Sequence, residues 1–206
     1  MSQYFCIHPQ NPQTRLITET AKIIRNGGVI VYPTDSVYAI GCRLNDKKAH
    51  DRIKQIRQLN DKHNFTLMCR DLSEIATYAK VDNHKYRLLK ASTPGPYTFL
   101  LPATKEVPTR LQHSKKKTIG IRVPDNNITL AILEELNEPL MSVTFVLPNQ
   151  FEQLLDPEEI YQKLGSQVDL VINGGPCGTE LTSIIDLFGD EPIVVREGKG
   201  DTTIFS

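Results

Sequence analysis

A single α/β domain, with a twisted mixed parallel and antiparallel open sheet surrounded by helices, is the fold this sequence predicts, and three observations carry it. Segments of strand character alternate with segments of helical periodicity along the whole chain. The 206 residues suit one domain with a sizeable core, and no internal repeat or low-complexity linker divides them. Residues 29–32 (VIVY) are an unbroken run of β-branched and aromatic side chains, as a strand buried on both faces requires.

In chain order, residues 14–26 read as a helix. Leu16, Ile17, Thr20, Ala21 and Ile24 share one side, Thr14 can cap the start, and Asn26-Gly27-Gly28 stops it. The 29–32 strand follows, and Pro33 ends it because proline has no N–H for the sheet ladder. Thr34, Asp35 and Ser36 then present polar groups at the end of a buried strand, where open α/β sheets bind ligands. The same groups could instead satisfy turn amides. A second extended segment runs to Cys42. Residues 46–58 read as a helix with Ala49, Ile53 and Ile56 inward, 60–64 as a loop, and 65–69 as a strand.

Asp71-Leu72-Ser73-Glu74 forms a capping box in which Asp71 and Glu74 satisfy each other's free amides, so neither is assigned a catalytic role. Residues 83–92 read as a helix broken by Thr93-Pro94-Gly95-Pro96, then 97–101 as a strand, 107–111 as a short helix, 113–117 as a basic loop and 118–123 as a strand. A helix at 127–137, a strand at 140–146, a helix at 157–164 opened by Pro157 and a strand at 168–172 follow. Strands at 183–187 and 193–196 finish the body.

The composition, 39% hydrophobic and 23% charged, is that of a soluble globular protein. No stretch approaches the length of a membrane span, and MSQYFCIHPQ has neither the basic flank nor the apolar run of a signal peptide, so the cytoplasm is expected and no membrane partner. Cys6, Cys42, Cys69 and Cys177 lie far apart without a C-x-x-C pair. They read as small buried hydrophobes, and no metal site is expected.

Net charge is zero, yet residues 1–122 hold 21 Lys and Arg against 9 Asp and Glu, and residues 123–206 hold 3 against 15. Two readings stay open. The basic part meets an anionic partner such as RNA, with Lys47, Lys48, Arg52, Lys54, Lys115, Lys116 and Lys117 as contacts, or the acidic half folds back on it. No RNP-type aromatic motif accompanies these residues, so RNA contact would be to phosphates of a duplex or structured RNA.

The 173–178 segment (NGGPCG) is not a phosphate loop, since neither G-x-x-x-x-G-K-[ST] nor G-x-G-x-x-G is present. What remains is a set of cations and hydroxyls. Arg122 stands between Ile121 and Val123, and Arg196 follows Val194 and Val195. An arginine emerging from a strand among hydrophobes needs an anion, either a carboxylate or a ligand. Ser142, Thr144, Thr182 and Ser183 supply hydroxyls at similar places.

YPTDSVYAIGC at 32–42 resembles the Tyr-Pro-Thr-(Glu/Asp)-(Thr/Ser)-x-Tyr-(Gly/Ala)-x-Gly signature of the YrdC-like family. PGPYTFLL (94–101), IGIRVP (119–124), PLMS (139–142), TSIID (182–186) and VVREG (194–198) follow in the family's order, and HNFTLMCRDLSE is similar to its YciO subgroup. The likeness implies a YrdC-like domain at 14–200 with a concave basic cavity, an extension at 1–13 and a tail at 201–206. It also implies a threonylcarbamoyl-AMP synthase-like nucleotidyltransferase of the tRNA-modification pathway, with ATP, a small amino acid and bicarbonate as substrates, Mg2+ accompanying ATP, and double-stranded RNA or tRNA as a further partner.

Carried over by motif, Thr34, Ser36 and Arg122 would hold the amino acid with Ser142 and Ser183 nearby. Arg57, His63, Thr118, Thr144 and Arg196 would hold the nucleotide, with Arg57 and Arg122 as the catalytic cations. Three departures stand out. Arg57-Gln58-Leu59 replaces a Lys-x-Arg pair, His63 replaces a lysine, and Val146 stands where the synthases carry an asparagine. Each lost charged hydrogen bond is worth roughly 1.5–3 kcal/mol, and efficient turnover, a weak activity and a changed substrate all stay open.

Overall fold

The protein is described here by a computed structural model covering residues 2–60, 63–146, 148 and 156–205. Ten strands form one sheet: β1 (Gln3–Cys6), β2 (Ile30–Tyr32), β3 (Ala39–Arg43), β4 (Thr66–Met68), β5 (Tyr97–Pro102), β6 (Thr118–Arg122), β7 (Leu140–Thr144), β8 (Leu170–Asn173), β9 (Ser183–Asp186) and β10 (Ile193–Arg196). Their order across the sheet is β1-β8-β2-β3-β7-β4-β6-β5-β9-β10. The β1–β8, β8–β2, β4–β6 and β5–β9 pairs are parallel and the others antiparallel. The helices are α1 (Thr14–Arg25), α2 (Lys47–Arg57), α3 (Leu72–Tyr78), α4 (Asn83–Ser92), α5 (Asn127–Leu136) and α6 (Pro157–Leu164). The fold is a single mixed α/β domain, as the sequence predicts.

How the helices divide between the two faces places the site. On one face Ala49 and Ile53 of α2, Ile75 of α3, Leu89 of α4 and Ile160 of α6 pack with Ile40, Leu67, Phe99, Ile121 and Met141 of the sheet. On the other face Ile17, Ala21 and Ile24 of α1 and Ile128, Ile132 and Leu133 of α5 cover Ile30, Tyr32, Leu140 and Leu170. That second cluster reaches β8, β2, β3, one end of β7 (Leu140) and the end of β4 (Met68), but not β6, β5, β9 or β10. The rest of the second face is therefore left open as a concave floor.

Register arranges that floor in rows, because residues paired across strands point the same way. One row runs Gly41, Ser142, Thr66, Gly120, Leu100, Asp186, Ile193 across seven strands. Met68 pairs with Arg122, and Thr98 with Ile184 and Ile184 with Arg196, in the next row. Gly120 keeps the floor open. A Cβ there would stand 2.8 Å from Thr66 Oγ1 and 3.1 Å from the Phe65 carbonyl.

Several local expectations shift for physical reasons. The residue before α1 is Gln13 rather than Thr14, and its side chain makes no capping bond. Asp71 Oδ1 accepts from Glu74 N, but Glu74 returns its carboxylate to the Arg70 amide rather than to Asp71. The 107–111 helix shortens to a 3-10 turn at Thr109–Leu111. Strand pairing of β7 ends at Thr144, two residues early. Cys6 is exposed on the edge strand while Cys42 and Cys69 are buried. Part of the 60–64 loop, residues 61 and 62, lies outside the described residues. Phe205, in the segment read as a tail, is buried against Tyr97 and Phe99.

The inner face of α2 carries His50, 5% exposed, where the sequence pattern showed only Ala49, Ile53 and Ile56. Its ring meets Phe65 edge-on at 4.5 Å, neither ring nitrogen makes a hydrogen bond to the described residues, and the Asp51 carboxylate stands 4.0 Å from Nδ1. Burial, then the charge of Arg110, pushes its pKa down to about 4. The unfolded chain binds a proton there near pH 6.5 and the folded one does not, so stability is lost as pH falls from about 6.5 toward about 4. At pH 5 the penalty is about 2 kcal/mol. A His50→Phe variant is expected to lose less stability than the parent between pH 7 and pH 5, by about that amount in urea titrations. Equal losses would show that His50 takes up its proton without opening the fold.

Candidate functional site

A cavity of about 490 Å3 lies on the open floor, lined in part by Ala39 and Thr144 at the β3–β7 end, Ser142, Thr66 and Met68 at its middle, and Arg122, Thr98, Ile184 and Arg196 toward the β10 edge. All of these share the second sheet face, with Ala39 and Met68 at the border of the cluster that α1 and α5 cover. His63, Asn64 and Thr182 join from the loops. Among the described lining residues there are two arginines and no carboxylate.

Arg122 is 5% exposed and holds a buried ion pair with Asp35, Nη2 to Oδ1 at 2.6 Å. Nη2 also donates to Ser36 Oγ at 3.3 Å. Its Nε is buried without a partner, and an orphaned donor of that kind costs about 1–3 kcal/mol. No protein group among the described residues accepts from Nη1, which is left for whatever occupies the cavity. Arg196 donates Nε and Nη2 to the Thr182 carbonyl at 3.0 and 2.7 Å, and Nη2 to Thr182 Oγ1 at 3.2 Å. Burial, and after it the like charge of Arg122, lowers its pKa from the usual arginine value. A like charge close by disfavours the protonated guanidinium of Arg196.

Ser142 Oγ accepts from the Tyr32 hydroxyl at 2.7 Å and keeps its own proton for an acceptor in the cavity. Tyr32 is fully buried, and its pKa is raised by that burial, so it stays a donor. Thr98 and Thr182 share a hydroxyl bond of 2.9 Å at the Arg196 end. His63 packs edge-on to Phe65 at 5.4 Å. Burial, and then Arg57, lowers its pKa, so the ring facing the cavity is neutral at pH 7.

Of the residues singled out in the sequence, Arg122, Ser142, Thr144, His63 and Arg196 come together in this cavity. Thr34, Ser36, Thr118, Ser183 and Arg57 are not among its lining residues. Thr34 Oγ1 donates to the Val37 carbonyl at 2.6 Å and meets Ser36 Oγ at 3.1 Å, which is the turn-satisfying use of these groups. Ser183 Oγ is spent on the Gly200 carbonyl and the Gly198 amide. Thr118 lies on the floor side of β6 but beyond Gly120, paired with Pro102. Arg57 donates Nε to the Thr144 carbonyl at 2.8 Å and Nη1 to the Val146 carbonyl at 2.5 Å. The ladder stops at Thr144, and the guanidinium supplies carbonyls that the ladder no longer serves.

Thr66, Thr98, Leu100 and Ile184 went unmarked in the sequence. Their alternation is that of ordinary strands, and only the pairing register sets them in one floor.

The charge asymmetry closes on itself in part. Arg43 pairs with Glu138, Arg52 with Asp169, Arg70 with Glu134 and Lys116 with Asp186, each a cation of residues 1–122 against a carboxylate of residues 123–206. Lys47 pairs with Asp51 within α2. Lys48, Lys115 and Lys117 are exposed and Lys54 is half-buried. No helix of the described residues is long and apolar enough to cross a membrane, and no group of three or more His, Cys, Asp and Glu among them is placed to hold a metal ion.

Comparison with known proteins gives this geometry a lineage. The family model Sua5/YciO/YrdC, described as "Telomere recombination", matches residues 22–198. The uncharacterized protein YciO of Escherichia coli K12 is 58% identical over 205 residues, covering all of both chains, and the E. coli YciO crystal structure superposes with a TM-score of 0.96. A threonylcarbamoyl-AMP synthase of Vibrio vulnificus is 27% identical over 161 residues, 77% of this chain and 86% of that one. The crystal structure of P. abyssi Sua5 complexed with L-threonine shares the fold at TM-score 0.87 and 22% identity, over 96% of this chain and 58% of that one. The chain belongs to the Sua5/YciO/YrdC family.

Proposed function

We propose that the cavity binds a small amino acid and ATP and joins them through bicarbonate, in the manner of a threonylcarbamoyl-AMP synthase. The observation that carries this reading is the pair of guanidinium groups, Arg122 and Arg196, on the floor of a cavity with no carboxylate among its described lining residues. A floor of that kind favours a ligand set with two separate anionic centres. A synthase among the relatives and a related fold complexed with L-threonine support the choice of ligands.

In this reading the α-carboxylate of the amino acid takes Nη1 of Arg122, beside the hydroxyl of Ser142. The phosphates lie toward Arg196, Thr144 and His63. The amine and bicarbonate condense with loss of water to a carbamate. A carbamate oxygen then attacks the α-phosphorus of ATP, the bond to the bridging oxygen breaks, and pyrophosphate leaves. No protein nucleophile is needed. The residues position the reactants and stabilise charge where it develops. Arg57 contributes through the chain segment it holds, by fixing Thr144 in the cavity. Mg2+ prefers carboxylate and phosphate oxygens, and the described lining residues offer no carboxylate for it. A Mg2+ accompanying ATP would therefore be held by phosphate oxygens and water rather than by the described lining residues, and none of these steps runs through one.

Pyrophosphate release with ATP, bicarbonate and a panel of small amino acids tests the reading. Release that depends on the amino acid is expected. In Arg196→Gln it is expected to fall about 10–100-fold, mainly through a raised KM for ATP, since a charged hydrogen bond is worth roughly 1.5–3 kcal/mol. Absence of release with every amino acid sinks the synthase reading.

A further inference from the structure

Asp35 is the polar residue of the 34–36 turn to which neither the motif reading nor the proposed chemistry gives a part. It does not line the cavity. Its side chain is 7% exposed, and both carboxylate oxygens are occupied. Oδ1 takes Arg122 Nη2 at 2.6 Å, and Oδ2 takes the Asp125 amide at 3.0 Å, in the segment that leads from β6 to α5. Lys199 Nζ donates to the Asp35 main-chain carbonyl, tying the same turn to the C-terminal segment. Asp35 is thus fixed from three parts of the chain, and its one free service is to hold Arg122.

Two physical needs meet there. The Arg122 side chain is long and rotamer-rich, and its Nε makes no bond. Ser36 Oγ, at 3.3 Å, is a weak second hold on the guanidinium. Arg122 also shares the cavity with Arg196, whose pKa it helps to lower. The carboxylate of Asp35 offsets this like-charge repulsion from behind, outside the space a ligand takes. We infer that Asp35 is the positioning residue of the site: it clamps one Nη of Arg122 so that the other Nη points into the cavity, and it lets two guanidinium groups face the two anionic centres of the ligand set. For turnover this rests on the synthase reading; for the guanidinium itself it does not.

The test therefore has two readouts. In protein labelled with 15N-arginine, the Arg122 Nη protons, assigned by their disappearance in Arg122→Lys, are expected to show slowed rotation in the parent protein. In Asp35→Asn they are expected to average to a single exchanging signal. In Asp35→Glu, which keeps a carboxylate and matches the Glu the family signature also admits, they are expected to stay slowed. Pyrophosphate release is expected to fall about 10–100-fold in Asp35→Asn, with KM for the amino acid raised more than KM for ATP, and to stay within a few-fold in Asp35→Glu.

Slowed Nη rotation persisting in folded Asp35→Asn, or lost in Asp35→Glu, overturns the inference. Should Asp35→Asn fail to fold, the Glu variant decides by the same two readouts. If the parent protein releases no pyrophosphate, the synthase reading fails alone, and the Nη spectra still decide the role of Asp35.

Discussion

Replacing Arg122 by alanine is expected to lower stability by about 3–5 kcal/mol and to abolish ligand binding together. The two losses have separate causes. Stability falls because Asp35 and Arg122 are each 7% exposed at the side chain, so removing the guanidinium leaves a buried carboxylate with only the Asp125 amide as partner. For a chain of this length that corresponds to a fall in Tm of roughly 6–20 °C. Binding falls because Arg122 carries the cavity's most buried cation, with Nη1 uncommitted.

A double variant separates them. Replacing a buried ion pair by apolar residues of similar volume is often neutral or better, so Arg122→Met with Asp35→Leu is expected to recover most of the lost Tm and none of the binding. A thermal scan and a titration with L-threonine or ATP on each protein measure both effects. Recovery of binding in the double variant would exclude Arg122 from the ligand site.

Arg122 was legible in the sequence because its chemistry is local. A charged residue in an apolar strand must have an anion, and the structure supplies one while leaving a donor over. Arg196 was marked by the same argument, but its guanidinium meets the Thr182 carbonyl and hydroxyl rather than a carboxylate, and its strand neighbours Ile193 and Val195 are exposed. The buried 29–32 run, the glycine stops and the caps at Asp71 and Pro157 were also local matters and came out within a residue or two. What was hidden is what depends on register and on where ladders end. Thr66, Gly120 and Leu100 lie in one row only because β4, β6 and β5 are neighbours, an order that no segment states by itself.

Arg57 was carried over by motif as a nucleotide-holding cation. It became a main-chain clamp because β7 stops pairing at Thr144, two residues sooner than its hydrophobic run suggests. The charge count was legible as a number and ambiguous as physics. The pairs Arg43–Glu138, Arg52–Asp169 and Lys116–Asp186 neutralise part of it internally.

Gly198→Ala is expected to be among the most damaging small substitutions in the chain. The C-terminal segment after β10 lies directly along residues 181–183. Lys199 N donates to the Leu181 carbonyl at 2.8 Å, Gly198 N donates to Ser183 Oγ at 3.0 Å, and Ser183 Oγ donates to the Gly200 carbonyl at 2.6 Å. A Cβ on Gly198 would stand 2.4 Å from the Leu181 carbonyl oxygen and 2.7 Å from the Thr182 carbonyl carbon and oxygen. These are main-chain atoms, so no rotamer change relieves the contact and the segment must lift. Overpacking of this kind costs about 1–3 kcal/mol, roughly 5–10 °C in Tm at the upper end.

The functional loss should exceed the thermal one. Arg196 stands two residues before Gly198 and is anchored to the Thr182 carbonyl, while Lys199 is the next residue and ties down the Asp35 turn. Lifting the segment moves both ends of the cavity's cation pair at once, and a displacement of about 1 Å can cost on the order of 100-fold in turnover. Gly189→Ala is the matched control, because a Cβ there meets nothing within 4 Å, and it is expected to leave Tm and turnover unchanged. If Gly198→Ala behaved like Gly189→Ala in both measurements, the C-terminal segment would be a passive tail, and the placement of Arg196 would have to depend on β9 and β10 alone.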